Sequence, residues 1–419
     1  YPITHRRIKI YFKIYRGKVH DFFILLRIIY FIYINYQQPY NIMHMDTNIH
    51  IKEVESKKDL QTFIRFQRSL YKNCPHYVPP LDREQKMALQ KHPALSFCER
   101  RLWLAYKDSQ VVGRIAGIIN HKYNALKNKK RIRFGWFDMI NDVSVAHALI
   151  SAVEDWGRQE KLNEISGPSR YSNMEKQGML IDGFDETPSV SAEYNYAYYP
   201  TIIEALGFHK EVDYIQYKVK VKEVPDKIKN LNTYISNKYN IKIKEFKHKK
   251  ELKTYGKALL KALNESYVNI YNFIPLNDEE IDFHIKNNLY LIQKDLVNVL
   301  VDENNSLVGF SLCVPSLTTA LQKAKGSLFP FGWYYIQKAL KKNTRVDMYL
   351  TGVLPKWSGS GIHIMYHCKL NEIFIRKGYQ YAITNQQLEY NKANRIWEKY
   401  DAELLFTRRC YLKNLFLNE

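Results

Sequence analysis

The chain has 419 residues, room for two or three domains with cores of their own. Its 46% hydrophobic and 25% charged content is that of a globular protein, and its formal charge of +21 invites an anionic partner. No zinc-finger spacing or RNA-binding aromatic signature accompanies that charge, so nucleic acid is not the expected partner. The five cysteines (Cys74, Cys98, Cys313, Cys368 and Cys410) are odd in number and include no C-x-x-C pair, which supports neither a disulfide framework nor a cysteine zinc site. A reducing cytoplasm is the expected compartment.

Residues 1–44 are crowded with Tyr, Ile, Phe, Lys and Arg, and the first methionines are Met43 and Met45. They read as an N-terminal extension, either outside the protein made in the cell or lying weakly on a membrane surface. The run 22–36 is about fifteen residues, short of the roughly twenty a spanning helix needs, and Arg27 interrupts it.

From residue 45 the pattern is regular. Alternation predicts a strand over 49–54 and helical spacing an amphipathic helix over 57–71; Pro75, Pro79 and Pro80 then enforce a loop. A hairpin follows over 102–106 and 111–120, then a strand at 134–138, a helix at 144–160 and a strand at 164–167. Gly167, Gly178 and Gly183 imply tight turns or close approach of a ligand, and Tyr194, Tyr196, Tyr198 and Tyr199 line either a pocket or merely the packing of a long loop. A strand at 218–223 closes a first unit, 45–223, and a linker helix over 224–240 begins at Pro225.

The second unit, 241–419, opens with a strand at 241–246, helices at 251–267 and 278–291, and a hairpin over 297–301 and 306–314. A helical insertion at 317–342 reads as a lid or as packing between the units. Then comes a strand whose apolar members are Val346, Met348, Leu350 and Val353 in a run ending at Pro355, a turn holding Ser358, Gly359, Ser360 and Gly361, and a helix from Ile362. Strand, glycine turn and helix N-terminus together present unpaired N–H groups, an anion site. Neither a Walker loop nor a complete G-x-G-x-x-G occurs there. His363 and His367 are spaced as H-x-x-x-H, but Ile364 replaces the Glu of a metalloprotease, and no metal is expected. Short strands at 381–384 and 406–412 flank Asn391, Ala393, Asn394, Trp397 and Tyr400.

Val353-Leu354-Pro355, the turn to Gly361, and the later Asn391 and Ala393 resemble the coenzyme-binding half of the GNAT acyltransferase superfamily. With Val78-Pro79-Pro80, Val112-Gly113-Arg114-Ile115, Gly167-Pro168 and Gly183-Phe184-Asp185, the pattern over 49–419 resembles bacterial tandem GNAT-like proteins with a degenerate first unit. In that first unit the equivalent turn, Met139-Ile140-Asn141-Asp142, has no glycine and carries an acid that would repel a pyrophosphate.

The resemblance implies an α+β fold with a mixed sheet and two acyl-CoA N-acyltransferase-like units. It implies acetyl-CoA or another acyl-CoA as co-substrate and an amine acceptor. Carried over by position, Val353 and Leu354 meet the thioester arm, while Ser358, Gly359, Ser360, Gly361 and Ile362 meet the pyrophosphate. Lys356 adds charge, and Asn391 and Asn394 line the arm. The usual Tyr acid falls on Trp397, leaving Tyr390, Tyr400 or Tyr411 as the acid; Asp347, Tyr349 and Glu389 are the candidate bases. Long-chain transfer to a lipid-like amine, and a non-catalytic coenzyme-binding module, remain as alternatives.

Overall fold

The computed structural model describes residues 48–416 other than 399 and 401. The expectations for residues 1–44 lie outside the described residues. In the first half, β1 (His50–Glu53) leads to helices α1 (Lys57–Leu70) and α2 (Asp82–Gln90). A meander follows of β2 (Cys98–Lys107), β3 (Gln110–Asn120), α3 (His121–Lys127) and β4 (Arg131–Met139). Helix α4 (Val143–Gln159), β5 (Glu164–Gly167), β6 (Met179–Asp182), α5 (Tyr198–Ala205) and β7 (His209–Lys220) complete it.

The second half holds α6 (Asp226–Tyr239), β8 (Lys242–Lys244), α7 (Lys249–Ser266), α8 (Asp278–Asn288), β9 (Val297–Val301) and β10 (Leu307–Pro315). After them come α9 (Thr318–Ala324), α10 (Gly332–Lys341), β11 (Arg345–Val353), α11 (His363–Lys377) and β12 (Tyr381–Ile383). The chain closes with β13 (Gln387–Leu388), α12 (Arg395–Glu398) and β14 (Glu403–Asn414).

One mixed sheet runs β1-β2-β3-β4-β5-β14-β7-β12-β11-β10-β9-β8, with β6 beside β14 and β13 beside β7. The pairs β4–β5 and β11–β12 are parallel, and their neighbours in the path are antiparallel. The last strand, β14, lies between β5 and β7, so the two halves interleave: the closing strand of each is paired with the other.

Local chemistry sets these elements. Ser56 caps α1 by accepting from the Asp59 N–H, Asp59 accepts back from the Ser56 N–H, and Leu60, Phe63 and Phe66 form the buried stripe. Helix α11 ends at Gly378, whose φ of +74° suits the left-handed C-cap. In the first core Leu149, Val153 and Trp156 of α4 pack on Ile115 and Phe134. In the second, Met365, Leu370 and Phe374 of α11 pack on Val346 and Leu300. Deleting one such side chain to Ala costs about 2–5 kcal/mol.

Two expectations need correction. The strand read at 218–223 begins at His209 and ends at Lys220. Its inward Asp213 and Gln216 disguise it; Arg409 donates to the Asp213 carboxylate, and the Gln216 amide N–H donates to the Thr384 carbonyl. Helix α3 and strand β6 were not expected at all. Of the two readings open for the tyrosines at 194–199, the structure favours packing: Tyr71, Tyr194, Tyr196, Tyr198 and Tyr199 lie ring against ring.

Candidate active site

Strands β11 and β12 pair only through Arg345, Val346 and Asp347, and beyond Asp347 they part. Cys313 faces Met348 and Leu312 faces Leu350, so Tyr349 is an extra residue, a bulge that bends β11 as the gap opens. The Leu354 N–H donates to the Val308 carbonyl at 2.9 Å. By strand alternation the Thr351 and Val353 N–H groups then face away from β10, into the gap. On that edge the Tyr267 hydroxyl donates to the Thr351 carbonyl at 2.8 Å.

The turn beyond β11 leaves backbone N–H groups open at a helix start. Pro355–Trp357 forms one 3-10 turn, then Gly359 and Gly361 take φ of +79° and +81°, positions that favour glycine. Their N–H groups donate to nothing among the described residues. A side chain at Gly359 would meet open space, so the backbone is approachable from outside. Lys356 is exposed beside the turn, whereas Ile362 is buried in the core and anchors it.

A polar cavity of about 340 Å³ fills the gap. Its floor is Tyr349, Leu350 and Thr351, and one wall is Asn385–Leu388 with Asn391 and Ala393. The opposite wall comes from the first half: Arg170, Asn173, Met174, Glu175, Lys176 and Gln177. Several polar atoms here are buried without a partner: Asn173 Oδ1, Gln177 Oε1, Tyr214 Oη and Gln386 Nε2. Orphaned groups of this kind cost free energy unless a ligand or water meets them.

Charge in the wall is organised. Glu175 Oε1 lies 3.0 Å from His92 Nε2, and Oε2 accepts from the Tyr171 N–H. Burial pushes the Glu175 carboxyl up, but His92 and Arg170 outweigh it, so the acid sits below the usual range. Burial pulls the neighbouring Lys176 down. Arg170 pairs with Glu193.

A second, apolar chamber of about 100 Å³ shares Met174, Tyr349 and Leu350 with the polar one. It lies between α7 and α8, walled by Leu252, Leu259, Leu260, Ile285, Ile292 and Phe310. His284 also lines it, and burial pulls that imidazole to about 4, so it is neutral near pH 7 and adds no charge. Tyr349 thus stands at the junction; burial, then the Glu84 carboxylate, raises its phenol above the ordinary value.

The other sequence-predicted residues scatter. Asp347 is buried in the paired part of β11 with Arg345 Nε 2.9 Å away, its carboxyl raised by burial. Glu389 pairs with Lys210, and Tyr390 is largely exposed. Tyr411 is in the first core, donating to Glu204 at 3.0 Å. Tyr400 packs against His367 and Trp397, its hydroxyl buried without a partner and its phenol pushed up to about 12 by burial. Asn391 caps the Lys392–Asn394 turn at the cavity wall. The Asn394 amide donates to the Leu388 carbonyl, holding that loop in shape. His363 and His367 face each other edge to face, and among the described residues no group of three or more His, Cys, Asp or Glu is placed to hold a metal.

Reasoning from sequence missed Glu175, Gln177, Tyr214 and Tyr267. The signal available was Gly167 and Gly178 bracketing the wall segment, because glycines of that kind mark close backbone approach.

Parallel strands that splay at a bulge, with a glycine turn and helix beyond, define the fold of the GCN5-related N-acetyltransferases, present here as two units in tandem. A tandem GNAT protein from the clavulanic acid biosynthesis pathway matches with a TM-score of 0.53 at 9% identity, over 88% of this chain and 100% of that one. In sequence the chain is 28% identical over 373 residues to Protein YghO of Escherichia coli (strain K12), spanning 86% of this chain and 94% of that protein. It is 25% identical over 327 residues to a bacterial ceramide synthase of Caulobacter vibrioides (strain NA1000 / CB15N), spanning 75% and 83%. No family model matches the chain.

Proposed function

We propose that this chain is an acyl-CoA-dependent N-acyltransferase that moves a long acyl chain onto a lipid-like amine. The observation that carries this reading is the apolar chamber opening beside Tyr349 and Leu350, next to the polar cavity. A two-carbon acyl group needs no such chamber. As it stands the chamber takes a few methylene groups, and a longer chain enters as α7 parts from α8, each buried methylene contributing about 0.8 kcal/mol. A ceramide is itself a long-chain amide, so the relative named as a ceramide synthase supports the same reading.

The chain's residues divide the work. The free N–H groups of Gly359 and Gly361, with Lys356, receive the diphosphate of coenzyme A at the start of α11. The Thr351 and Val353 N–H groups meet the thioester arm and its carbonyl. Glu175, kept ionised, faces the acceptor's ammonium across the polar cavity, and the ammonium loses its proton to cavity water. The amine nitrogen then attacks the thioester carbon, the C–N bond forms and the C–S bond breaks. Tyr349, kept protonated by its surroundings, donates its proton to the departing sulfur, and its phenolate is restored, through cavity water, by the second proton that the acceptor nitrogen sheds as the amide forms.

The test is turnover. Purified protein is given acetyl-CoA or palmitoyl-CoA with a long-chain amine, and amide and free thiol are followed by mass spectrometry and a thiol reagent. Amide from palmitoyl-CoA in preference to acetyl-CoA is the expected result. Preference for acetyl-CoA overturns the long-chain reading; binding of both without product leaves a coenzyme-binding module.

A further inference from the structure

From the helical insertion we infer a second surface function: α9, α10 and the loop between them dock this protein on an anionic lipid bilayer. The inner face of the insertion is fixed. Leu317, Ala320, Leu321 and Ile336 pack on Val78 and Leu81, and Gln322 donates to the Pro75 carbonyl at 2.8 Å. That packing leaves the outer face bare. Phe329, Phe331, Trp333 and Tyr334 are 79%, 64%, 53% and 49% exposed, a concentration of large aromatics within one turn and a half of chain. Single exposed apolar residues need no explanation, but a cluster does.

Charge then selects the partner. Between Glu303 and Asp347 the chain carries no acidic residue, while Lys323, Lys325, Lys338, Lys341 and Lys342 are all cationic. Aromatic rings flanked by lysines match the boundary of an acidic membrane, where rings sit at headgroup depth and cations meet lipid phosphate. A second copy of this face would set lysine against lysine, whereas lipid phosphate supplies the countercharge and the headgroup region takes the rings. Among the described residues no helix is long and apolar enough to cross a membrane, so this contact is peripheral.

Position gives the docking a use. Trp333 and Ile336 share a surface groove with Lys286, Asn287 and Tyr290, while His284, Ile285 and Asn288 turn to the apolar chamber. The C-terminal end of α8 and the residues just after it thus separate the docking face from the chamber, a short path for a lipid leaving the bilayer. The docking itself stands whichever reaction the cavity performs.

Co-sedimentation of the full chain with vesicles tests it. Wild type partitions onto phosphatidylglycerol-rich vesicles and far less onto pure phosphatidylcholine, and salt weakens the binding. Replacing Phe329, Phe331 and Trp333 together by Ser lowers partitioning by about tenfold or more. Lys338→Glu with Lys341→Glu lowers it by about fivefold per charge. Unchanged melting curves show that these exposed sites leave the fold intact. Undiminished partitioning of the triple Ser variant overturns the proposal and moves any membrane contact to residues 1–44. No partitioning by wild type, or a patch whose loss changes only self-association, overturns it as well.

Discussion

The molecule contains the same strand–turn–helix device twice, once open and once closed. Strands β4 and β11 have matching lengths and each pairs in parallel through its first three residues, Arg131–Arg133 with β5 and Arg345–Asp347 with β12. Both then bulge: Trp136 takes a φ of +44° in β4, and Tyr349 is the extra residue in β11. Met139 therefore corresponds to Val353. In the first half the Met139 N–H donates to the Tyr199 hydroxyl at 2.9 Å, and its carbonyl accepts from Tyr198 at 2.6 Å. The Phe134 carbonyl is taken by the Ser169 N–H. At the helix start Asp142 accepts from the Ser144 N–H at 2.9 Å and meets Lys107 at 3.3 Å. Protein groups thus occupy the edge at Met139 that stands open at Val353, and Asp142 with Lys107 holds the helix start. What separates a closed copy from an open one is occupancy of a strand edge, with the backbone path kept.

The comparison breaks most severely if the turn is blocked. Gly359→Val with Gly361→Val puts branched side chains at positive φ, where they are strained by about 1–3 kcal/mol each. The pair is expected to lose roughly a hundredfold or more in kcat/KM and to abolish the stabilisation of about 2.7 kcal/mol that coenzyme A gives at a hundredfold excess over its Kd. Retained thermal stabilisation would remove the anion role from this turn.

Next comes Tyr349→Phe. Removing the phenol proton lowers kcat by about a hundredfold with little change in KM, read from initial rates with palmitoyl-CoA. An unchanged kcat would leave Tyr349 as chamber wall only.

Filling the chamber is milder. Leu259→Trp is expected to cut kcat/KM for palmitoyl-CoA by about tenfold and spare a short-chain thioester. Equal losses for both would mean the chamber is not where acyl chains go.

Stability carries the two smallest effects. His367, buried in the second core, is pulled to about 3 by burial and then His363. His284 is lowered likewise. Their folded pKa values lie below the unfolded 6.5, so the stability they give is present above pH 6.5 and lost as pH falls, by about 2 kcal/mol for His367 between pH 6.5 and 5. His92, raised by its Glu175 pair against the opposing pull of burial, has the opposite sign and loses its contribution as pH rises through its folded value. Urea denaturation at pH 7 and 5 should show the fall, and His367→Gln should flatten it; equal slopes would contradict the burial argument. Finally, Asp142→Ala removes a helix cap in the closed copy. It costs about 1 kcal/mol by the same assay and creates no coenzyme binding, since Tyr198 and Tyr199 still hold the edge.

Much of this was legible from residues alone. The change of apolar period at Ile362 and the run of Ser358 to Gly361 located the strand, turn and helix, because glycine and periodicity act locally. The acid in the Met139–Asp142 turn reads as repelling a pyrophosphate, and the structure gives Asp142 to the Ser144 N–H and to Lys107. Three things were out of reach. The tyrosines at 194–199 have the composition of a pocket, and only tertiary packing shows them stacked. Interleaving of β14 between β5 and β7 is a non-local pairing that no window of sequence reports. The wall of Arg170 to Gln177 comes from the half of the chain with the closed copy, so nothing in the half with the open copy points to it.

Amide hydrogen exchange with and without saturating palmitoyl-CoA tests the central claim most directly. The open-copy account predicts added protection at 353–363 and along the facing sides of α7 and α8, with residues 139–144 unchanged. Protection at 139–144, or none at 353–363, would contradict it.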